Sequence, residues 1–426
     1  MHHYLHAHAT RINAGDDLLA EAVRSVVRQG QTLGQTLGQA APASFADFAS
    51  QTAPWEDCAG AKLSAALLES PEGRRLVAVT LSECRALIIG AGDLITNAPQ
   101  YALLARAAEI LRRPTVLLGI GVNLHRCPPA VVALWRQVLP GVAAAWARDD
   151  DSATRLVELG LPADRVRTLP DLAYLSTEST ESTDRATTGR ERIGLVSLRT
   201  PEGNSARWGV AFYAALGAAL DETAERESIR WRFLPMVGAW QRALGHPRDD
   251  DARAFDALAP HVHSGLDSAP MDRRITVDEL SDELRRARVA VAMRLHVGIL
   301  ASMVGTPVVP IAYSPKVSAW AHSSGLSAWT LQPTEDDVAR LPACVTRAWA
   351  PGEGARLLDL ARLRAAELRG AASEAAGWKD ARELSPITAS AVERAARALE
   401  LPRDWRGSIG RVFDRGLGRV RGWAGV

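Results

Sequence analysis

Short apolar runs alternate with helix-length segments along most of this chain, and this alternation restricts the fold more than any other feature. Residues 86–90 (ALIIG) and 115–121 (TVLLGIG) are apolar runs that end in glycine, and a helical segment from about Pro99 to Leu111 separates them. Apolar runs of about four to eight residues are typical of strands buried on both faces of a parallel sheet. The alternation therefore predicts an α/β fold built on doubly wound parallel sheets.

A polar, low-complexity stretch interrupts the alternation near the middle of the chain. Residues 176–190 (STESTESTDRATTGR) contain almost no apolar side chains, as is typical of a linker, and the pattern then restarts. A chain of 426 residues also exceeds the usual size of a single hydrophobic core. We therefore expect two Rossmann-like domains, 1–175 and 193–350, joined by a linker at 176–192. The helical segment 351–426 is expected to return to the first domain.

Composition and charge exclude several classes of protein. The formal net charge is +1, so no overall positive field favours nucleic acid as a partner. No window reaches the roughly 18 apolar residues of a membrane-spanning helix, and the start of the chain lacks the apolar core of a secretory signal. The four cysteines are scattered without metal-ligand spacing, which is typical of a reducing compartment. We therefore expect a cytoplasmic protein.

Ligands of doubly wound sheets bind at the carboxyl ends of strands, and residues 289–317 carry polar groups at two such ends. A buried strand runs into Arg294 and His296, and the next predicted strand runs into Tyr313 and Lys316. A buried arginine needs an anionic partner, and its fork suits a carboxylate or a phosphate. A histidine beside it can exchange a proton near neutral pH. The spacing leaves two interpretations open: an anion-binding active site, or a buried ion pair beside a core histidine.

Two runs of aspartates and the first residues of the chain receive structural interpretations. Residues 149–151 are expected to form a solvated turn in which Asp149 or Asp151 caps the next helix, and residues 249–251 are interpreted in the same way. No metal site is predicted. The histidines near the start are interpreted as part of an exposed end: His2, His3, His6 and His8.

Several short motifs occur in a fixed order along residues 12–326. The most specific is Arg294-Leu295-His296, followed by a helix of small residues, Gly305-Thr306-Pro307-Val308-Val309 and Tyr313-Ser314-Pro315-Lys316-Val317. The earlier motifs are Asn13-Ala14-Gly15-Asp16-Asp17, Gly90-Ala91-Gly92-Asp93, Gly119-Ile120-Gly121-Val122, Ala147-Arg148-Asp149, Pro170-Asp171 and Ser197-Leu198-Arg199. In this order the motifs resemble those of the polysaccharide pyruvyl transferase family.

The resemblance implies both a fold and a reaction. The implied fold is GT-B-like, with two Rossmann-like domains facing across a cleft. The implied reaction transfers the enolpyruvyl unit of phosphoenolpyruvate to two hydroxyls of a sugar, giving a cyclic pyruvate ketal and phosphate. Phosphoenolpyruvate is then a co-substrate, and no cofactor is expected. The implied acceptor is a saccharide of a cell-envelope glycan or of its precursor, a class that includes lipid-linked sugars.

The family's donor site carries over onto Arg294, Leu295 and His296. In the implied reaction His296 is the acid that protonates the methylene carbon of phosphoenolpyruvate. Arg199 is expected to be the second donor arginine, and Arg148, which also follows a predicted strand, is the alternative.

Further residues are assigned to the two substrates from their positions in the motifs or after predicted strands. Tyr313 and Lys316 are expected on the donor side, and a solvated Lys316 on an exposed loop is the open alternative. The acceptor-side candidates are Asp16, Asp93, Asn97, Asn123 and Arg148.

Two other functions remain open at this point. One is a nucleotide-sugar glycosyltransferase on the same fold, and the other is a non-catalytic glycan-binding or scaffold protein. Fold alone does not separate these functions, but an intact Arg-Leu-His segment favours an enzyme.

The last residues of the chain, 403–426, combine apolar side chains at helical spacing with six arginines and two aspartates. This pattern is typical of a basic amphipathic helix. We expect a weak contact with the inner face of a membrane, and a helix packed on the first domain is the alternative. The sequence makes no prediction of oligomeric state.

Overall fold

The computed structural model describes residues 2–7, 18–19, 22–23, 25–26, 43–47, 68, 70–96, 99–125, 127–175, 190–199, 208–237, 251–273, 275–374 and 387–400. The chain divides into two compact units. The first contains Leu19–Leu175 and the chain from Glu367 onward, and the second contains Ser176–Ala366. Each unit is built on its own parallel sheet, so the predicted pair of Rossmann-like α/β domains is confirmed.

The first unit has a six-stranded parallel sheet in the order β2-β1-β3-β4-β5-β6. Its strands are β1 (His2–Ala7), β2 (Ala43–Asp47), β3 (Ala86–Ile95), β4 (Thr115–Val122), β5 (Ala144–Ala147) and β6 (Val166–Thr168). Its helices before the second unit are α1 (Pro71–Glu83), α2 (Gln100–Ile110), α3 (Pro129–Val138) and α4 (Asp150–Glu158). β3 and β4 are buried along nearly their whole length, as expected for strands covered on both faces.

The interpretation of the first residues as an exposed end is wrong for the backbone of residues 2–7, and His8 lies outside the described residues. His2–Ala7 is β1, an inner strand of the first sheet. It pairs in parallel with β2 on one side and with β3 on the other. The segment HHYLHA has no apolar run and therefore no signal of burial. Its strand is defined by backbone pairing with segments that lie far away in the sequence, and that pairing exists only in the folded sheet.

β3 also extends beyond its predicted end at Gly90 and continues to Ile95. A Cβ atom at Gly90 would overlap the carbonyl oxygen of Leu118 in β4. The glycine therefore permits a close approach of two strands and does not end one, which is a second common use of glycine inside a strand.

The C-terminal part of the chain returns to the first unit, as predicted. Helix α13 (Ala389–Ala398) packs on α1 and α2. Its buried residues Ala391, Ala395 and Leu399 recur at one-turn spacing and lie in the same apolar core as Leu104 of α2. Small residues on this face let the helix pack closely and bury its apolar stripe.

The second unit has a five-stranded parallel sheet in the order β11-β10-β7-β8-β9. This is the doubly wound order, in which the strand sequence reverses between two central neighbours. Here those neighbours are β7 and β10, whose carboxyl ends are the expected place for a ligand. The strands are β7 (Ile193–Ser197), β8 (Arg230–Phe233), β9 (Leu266–Ser268), β10 (Val289–Ala292) and β11 (Val308–Pro310).

Eight helices of the described residues follow in the second unit or lead out of it. They are α5 (Val210–Glu227), α6 (Asp251–Leu258), α7 (Val277–Arg286), α8 (Leu295–Met303), α9 (Pro315–Ser323), α10 (Glu335–Val338), α11 (Leu341–Ala348) and α12 (Glu353–Glu374). Among the helices of the described residues, none has both the length and the apolar character needed to cross a membrane.

Arg190 belongs to the second unit, although the predicted linker extended to residue 192. Its guanidinium donates hydrogen bonds to the carbonyl oxygens of Ala287 at 2.7 Å, Val304 at 3.1 Å and Gly305 at 3.0 Å. These carbonyls lie at the C-terminal ends of α7 and α8, where a positive charge is favourable. Arg190 is therefore anchored to the second unit before β7 begins.

Candidate active site

Arg294 and His296 lie at the start of α8, directly after the central strand β10. Arg294 is the N-cap residue, with an extended backbone (φ −76°, ψ 119°), and His296 is the second residue of the helix. The side chain of Arg294 is 11% exposed. The positive end of a helix dipole and its unpaired backbone N–H groups favour an anion at this position.

Asp251 is the carboxylate that pairs with Arg294. It is the first residue of α6 and is fully buried. One oxygen, Oδ1, accepts a hydrogen bond from Nη2 of Arg294. The other, Oδ2, accepts from the backbone N–H of Met236 at 2.8 Å and of Val237 at 3.1 Å. The carboxylate thus connects the segment after β8 to the arginine after β10.

The prediction of a solvated turn at 249–251 is wrong for Asp251, and the two preceding aspartates lie outside the described residues. A run of three aspartates has the composition of a solvated turn, so it carries no signal of burial. The only available clue was the buried Arg294, which needed an anionic partner somewhere in the chain. The ion-pair interpretation of Arg294 is confirmed, and it is compatible with a second contact to a ligand because a guanidinium has five N–H donors.

Arg199 and Tyr313 meet at the same edge of the sheet. Arg199 follows β7, and its Nη1 donates a hydrogen bond to the hydroxyl oxygen of Tyr313 at 3.0 Å. The guanidinium carbon also lies 5.3 Å from the centroid of the tyrosine ring, within cation–π distance. Trp208 packs against the same ring edge to face, with a centroid distance of 6.2 Å. These contacts hold Arg199 beside the loop that follows β11.

Three positive side chains act on the hydroxyl of Tyr313. Burial by itself would raise the pKa of Tyr313, but the charges of Lys316, Arg199 and Arg294, together with the hydrogen bond from Arg199, bring that pKa below its ordinary value. Of the three, Arg199 contacts the phenol directly, through its hydrogen bond at 3.0 Å. Arg294, one of these cations, also pairs with Asp251.

Lys316 and His296 occupy equivalent positions on two neighbouring helices. α9 begins at Pro315, so Lys316 is its second residue, as His296 is the second residue of α8. The two helices pack closely because Gly298 of α8 leaves room for the ring of Trp320. A Cβ atom at Gly298 would lie 2.5 Å from that ring.

Three hydrogen-bond donors around these residues are buried without a partner among the described residues: Ser197 Oγ, Trp208 Nε1 and Ser314 Oγ. Ser314 is the N-cap residue of α9, yet its side chain makes no capping hydrogen bond. Buried polar groups are normally hydrogen-bonded. These donors therefore suit a ligand that carries several acceptor oxygens.

The first unit contains a second ion-pair cluster, centred on Arg148. Arg148 donates to Asp93 of β3, and its Nε donates to Asp149 at 3.3 Å. Burial would lower the pKa of Arg148, but the nearby charges of Asp93, Asp171 and Asp149 raise it. Gly121 of β4 makes room for this group, because a Cβ atom there would lie 2.6 Å from the guanidinium. Arg148 is thus held in the first unit by acidic partners, while Arg199 lies in the second unit with Arg294.

The remaining predicted residues have varied outcomes. Asp149 caps α4 by accepting from the backbone N–H of Ser152 at 2.7 Å, so the predicted cap is confirmed. Asn123 is exposed and accepts from the backbone N–H of His125.

Asp16 and Asn97 lie outside the described residues. Within the described part of the chain, no three His, Cys, Asp or Glu side chains are arranged to hold a metal ion.

Solved structures of three other proteins share the fold. They are Alr3699/HepE from Anabaena in complex with UDP-glucose, S. aureus MnaA in complex with UDP, and a UDP-GlcNAc 2-epimerase from Methanocaldococcus jannaschii. Their TM-scores are 0.51, 0.52 and 0.50 at sequence identities of 11%, 10% and 9%. The alignments cover 89%, 88% and 85% of this chain, and 99%, 94% and 99% of the other chains. Likeness at such low identity shows the fold alone, which is GT-B-like.

The sequence itself matches a family model. A search of curated protein sequences finds no match to this chain. The model for polysaccharide pyruvyl transferase matches residues 13–315, which include Arg199, Arg294, His296 and Tyr313. Because this match covers well over half of the 426 residues, the chain belongs to the polysaccharide pyruvyl transferase family.

Proposed function

We propose that this protein transfers the enolpyruvyl unit of phosphoenolpyruvate to two hydroxyls of a saccharide, forming a pyruvate ketal and releasing phosphate. The observation that supports the donor is that Arg199, Arg294 and Lys316 follow three neighbouring strands of the second sheet, and that their charges lower the pKa of Tyr313 there. Phosphoenolpyruvate carries both a carboxylate and a phosphate. Such a ligand is bound best by several cations with fixed geometry, of which at least one is an arginine fork.

His296 is the proposed acid. Its proton goes to the methylene carbon of the donor, and a hydroxyl of the sugar adds to the adjacent carbon. The bond from that carbon to the phosphate oxygen then breaks, and a second hydroxyl of the sugar adds to the same carbon to close the ketal. Of the two hydroxyl protons, one restores the protonated imidazole and the other leaves on the phosphate, so the reaction balances without a cofactor.

The cations have a second role in this reaction. Negative charge moves onto the phosphate oxygen as the carbon–oxygen bond breaks. In the proposed reaction Lys316 and the two arginines stabilise this charge without the reorganisation that water would require. The start of α9 adds the positive end of a helix dipole beside Lys316.

We propose that the acceptor is a saccharide of a cell-envelope glycan or of its precursor, including lipid-linked forms. Its candidate contacts are the residues that the sequence placed on the acceptor side: Asp16, Asp93, Asn97, Asn123 and Arg148. In the cluster around Arg148, the carboxylates of Asp93 and Asp149 suit hydrogen bonds from sugar hydroxyls. We further propose that the reaction takes place in the cytoplasm, where its donor is a metabolite.

The test is turnover by the full-length protein. We would incubate it with phosphoenolpyruvate and a panel of lipid-linked and nucleotide-linked sugars, and measure released phosphate together with the mass of each sugar. The expected result is a sugar that gains a pyruvate ketal in a one-to-one ratio with phosphate. Thermal stabilisation by UDP-sugars but not by phosphoenolpyruvate would favour the glycosyltransferase instead. Stabilisation by glycans without turnover would favour a binding protein.

A further inference from the structure

We infer that Asp251 is a positioning residue for Arg294, holding its guanidinium in the orientation that binds the donor. Neither the Arg-Leu-His motif nor the family resemblance points to this residue. The inference rests on the proposed function only for the identity of the donor. The contact itself lies entirely within the second unit.

The carboxylate of Asp251 is fixed before it meets the arginine. The residue has no exposed surface, and a buried carboxylate is costly unless its oxygens are hydrogen-bonded. Oδ2 accepts from the two consecutive N–H groups of Met236 and Val237. The backbone N–H of Asp251 also donates to the carbonyl oxygen of Val237 at 3.0 Å. Both the backbone and the side chain of Asp251 are therefore attached to the segment after β8.

Arg294 gains a defined orientation from this contact. An arginine has many rotamers, and ordering it has an entropic cost at the moment of binding unless it is ordered beforehand. The backbone of Arg294 is fixed as the N-cap of α8, and the bond to Oδ1 of Asp251 fixes the far end of the side chain. Donor binding then does not have to order the guanidinium.

Replacing Asp251 changes donor affinity in opposite directions, depending on whether Asp251 orients Arg294 or acts only through its charge. Asp251 is negative and lies next to a site for an anion, so by charge alone its removal would strengthen donor binding. If it orients Arg294, its removal weakens donor binding instead. Asp251→Asn keeps the shape of the side chain but replaces one acceptor oxygen with an NH₂ group, which only donates. The variant therefore cannot accept from both Arg294 and the two backbone N–H groups.

Asp221, which is less buried than Asp251, provides a control for the chemical change. Asp221 also binds consecutive backbone N–H groups, those of His263 at 2.9 Å and Ser264 at 2.8 Å, and within the described residues it makes no contact with an arginine. Asp221→Asn therefore repeats the chemical change and the loss of a loop contact without affecting Arg294.

The experiment is a double-mutant cycle on the full-length protein with phosphoenolpyruvate as the varied substrate. We expect Asp251→Asn to raise KM for phosphoenolpyruvate on the order of tenfold, as contacting residues couple, and to leave KM for the acceptor unchanged. In an Arg294→Ala background, the same change is expected to have no further effect on KM. Asp221→Asn is expected to leave both KM values unchanged. A lower or unchanged KM in Asp251→Asn, or effects of the two substitutions that multiply, would overturn the inference.

A crystal structure of the Asp251→Asn variant separates this inference from the proposed function. If wild-type protein shows no turnover with phosphoenolpyruvate, the proposed function fails, and the orientation of Arg294 is still measurable. A displaced or disordered guanidinium supports the positioning role. A guanidinium in its wild-type place contradicts it, whatever the donor is.

Discussion

Arg199 contacts Tyr313 in two ways: it donates a hydrogen bond to the hydroxyl oxygen at 3.0 Å, and its guanidinium carbon lies 5.3 Å from the ring centroid. One residue follows β7 and the other follows β11, at the two sides of the central strand β10. The contact therefore spans the carboxyl end of the strand that leads to Arg294.

The first prediction concerns the pH dependence of stability at Tyr313. The pKa of this phenol is lower in the folded protein than its ordinary value of about 10. Its ionisation therefore stabilises the fold fully above the ordinary value, and the contribution is lost as the pH falls through the lower folded pKa. Denaturant unfolding of wild type and Tyr313→Phe should give free energies of unfolding that diverge as pH rises toward 10. Parallel curves would contradict the shift.

The second prediction separates proton transfer from donor binding at His296. His296→Gln should abolish turnover while leaving phosphoenolpyruvate binding, measured by calorimetry, within about threefold of wild type, because the change removes the acid but none of the three cations. His322→Gln is the control, since His322 is exposed on α9. Near-normal turnover in His296→Gln would mean that another group is the acid.

The third prediction decides between Arg199 and Arg148 as the second donor arginine. Arg199→Ala and Arg294→Ala should each weaken phosphoenolpyruvate binding by about 2–5 kcal/mol, the usual effect of losing one partner of a desolvated charge contact. Arg148→Ala should leave donor affinity unchanged, because the partners of Arg148 are acidic residues of the first unit. Calorimetric titration with phosphoenolpyruvate measures all three, and weaker binding by the Arg148 variant alone would reverse the assignment.

The fourth prediction tests the close packing of α8 and α9. Gly298→Ala should destabilise the fold by about 1–3 kcal/mol, because the added methyl group overlaps the ring of Trp320 and the core has no space for it. Donor affinity should fall as well, since α9 carries Lys316. Gly370→Ala in α12 is the matched control. No atom lies within 4 Å of the added group there, so alanine should stabilise the helix by up to about 1 kcal/mol.

The fifth prediction concerns residues 403–426, which lie outside the described residues. The segment should bind anionic liposomes at low salt, with each of its six arginines contributing on the order of 1 kcal/mol near the surface. Binding should be lost at high salt and on deletion of 403–426, without loss of the fold. Sedimentation with liposomes and thermal unfolding measure the two effects. A truncated protein that no longer folds would identify the tail as a structural helix.

Local sequence was sufficient to predict the buried strands that carry the candidate site. Apolar runs such as ALIIG and VAVA indicate buried strands because continuous burial on both faces requires apolar residues at every position. The strand end at residues 292–294 then located Arg294 and His296, since parallel sheets bind ligands at that edge. The order of the motifs along the chain indicated the family, and the family resemblance implied the substrates expected to bind these residues.

Tertiary structure alone determined which distant residues complete the site. Asp251 lies 43 positions before Arg294 in the chain, within a run of aspartates that resembles a solvated turn. Likewise, the polar segment His2–Ala7 becomes an inner strand only through pairing with β2 and β3. The sequence around Asp251 carries no signal of its burial, and the sequence of His2–Ala7 carries no signal of its inner position in the sheet. Both environments come from long-range contacts, which exist only once the parallel strands have assembled.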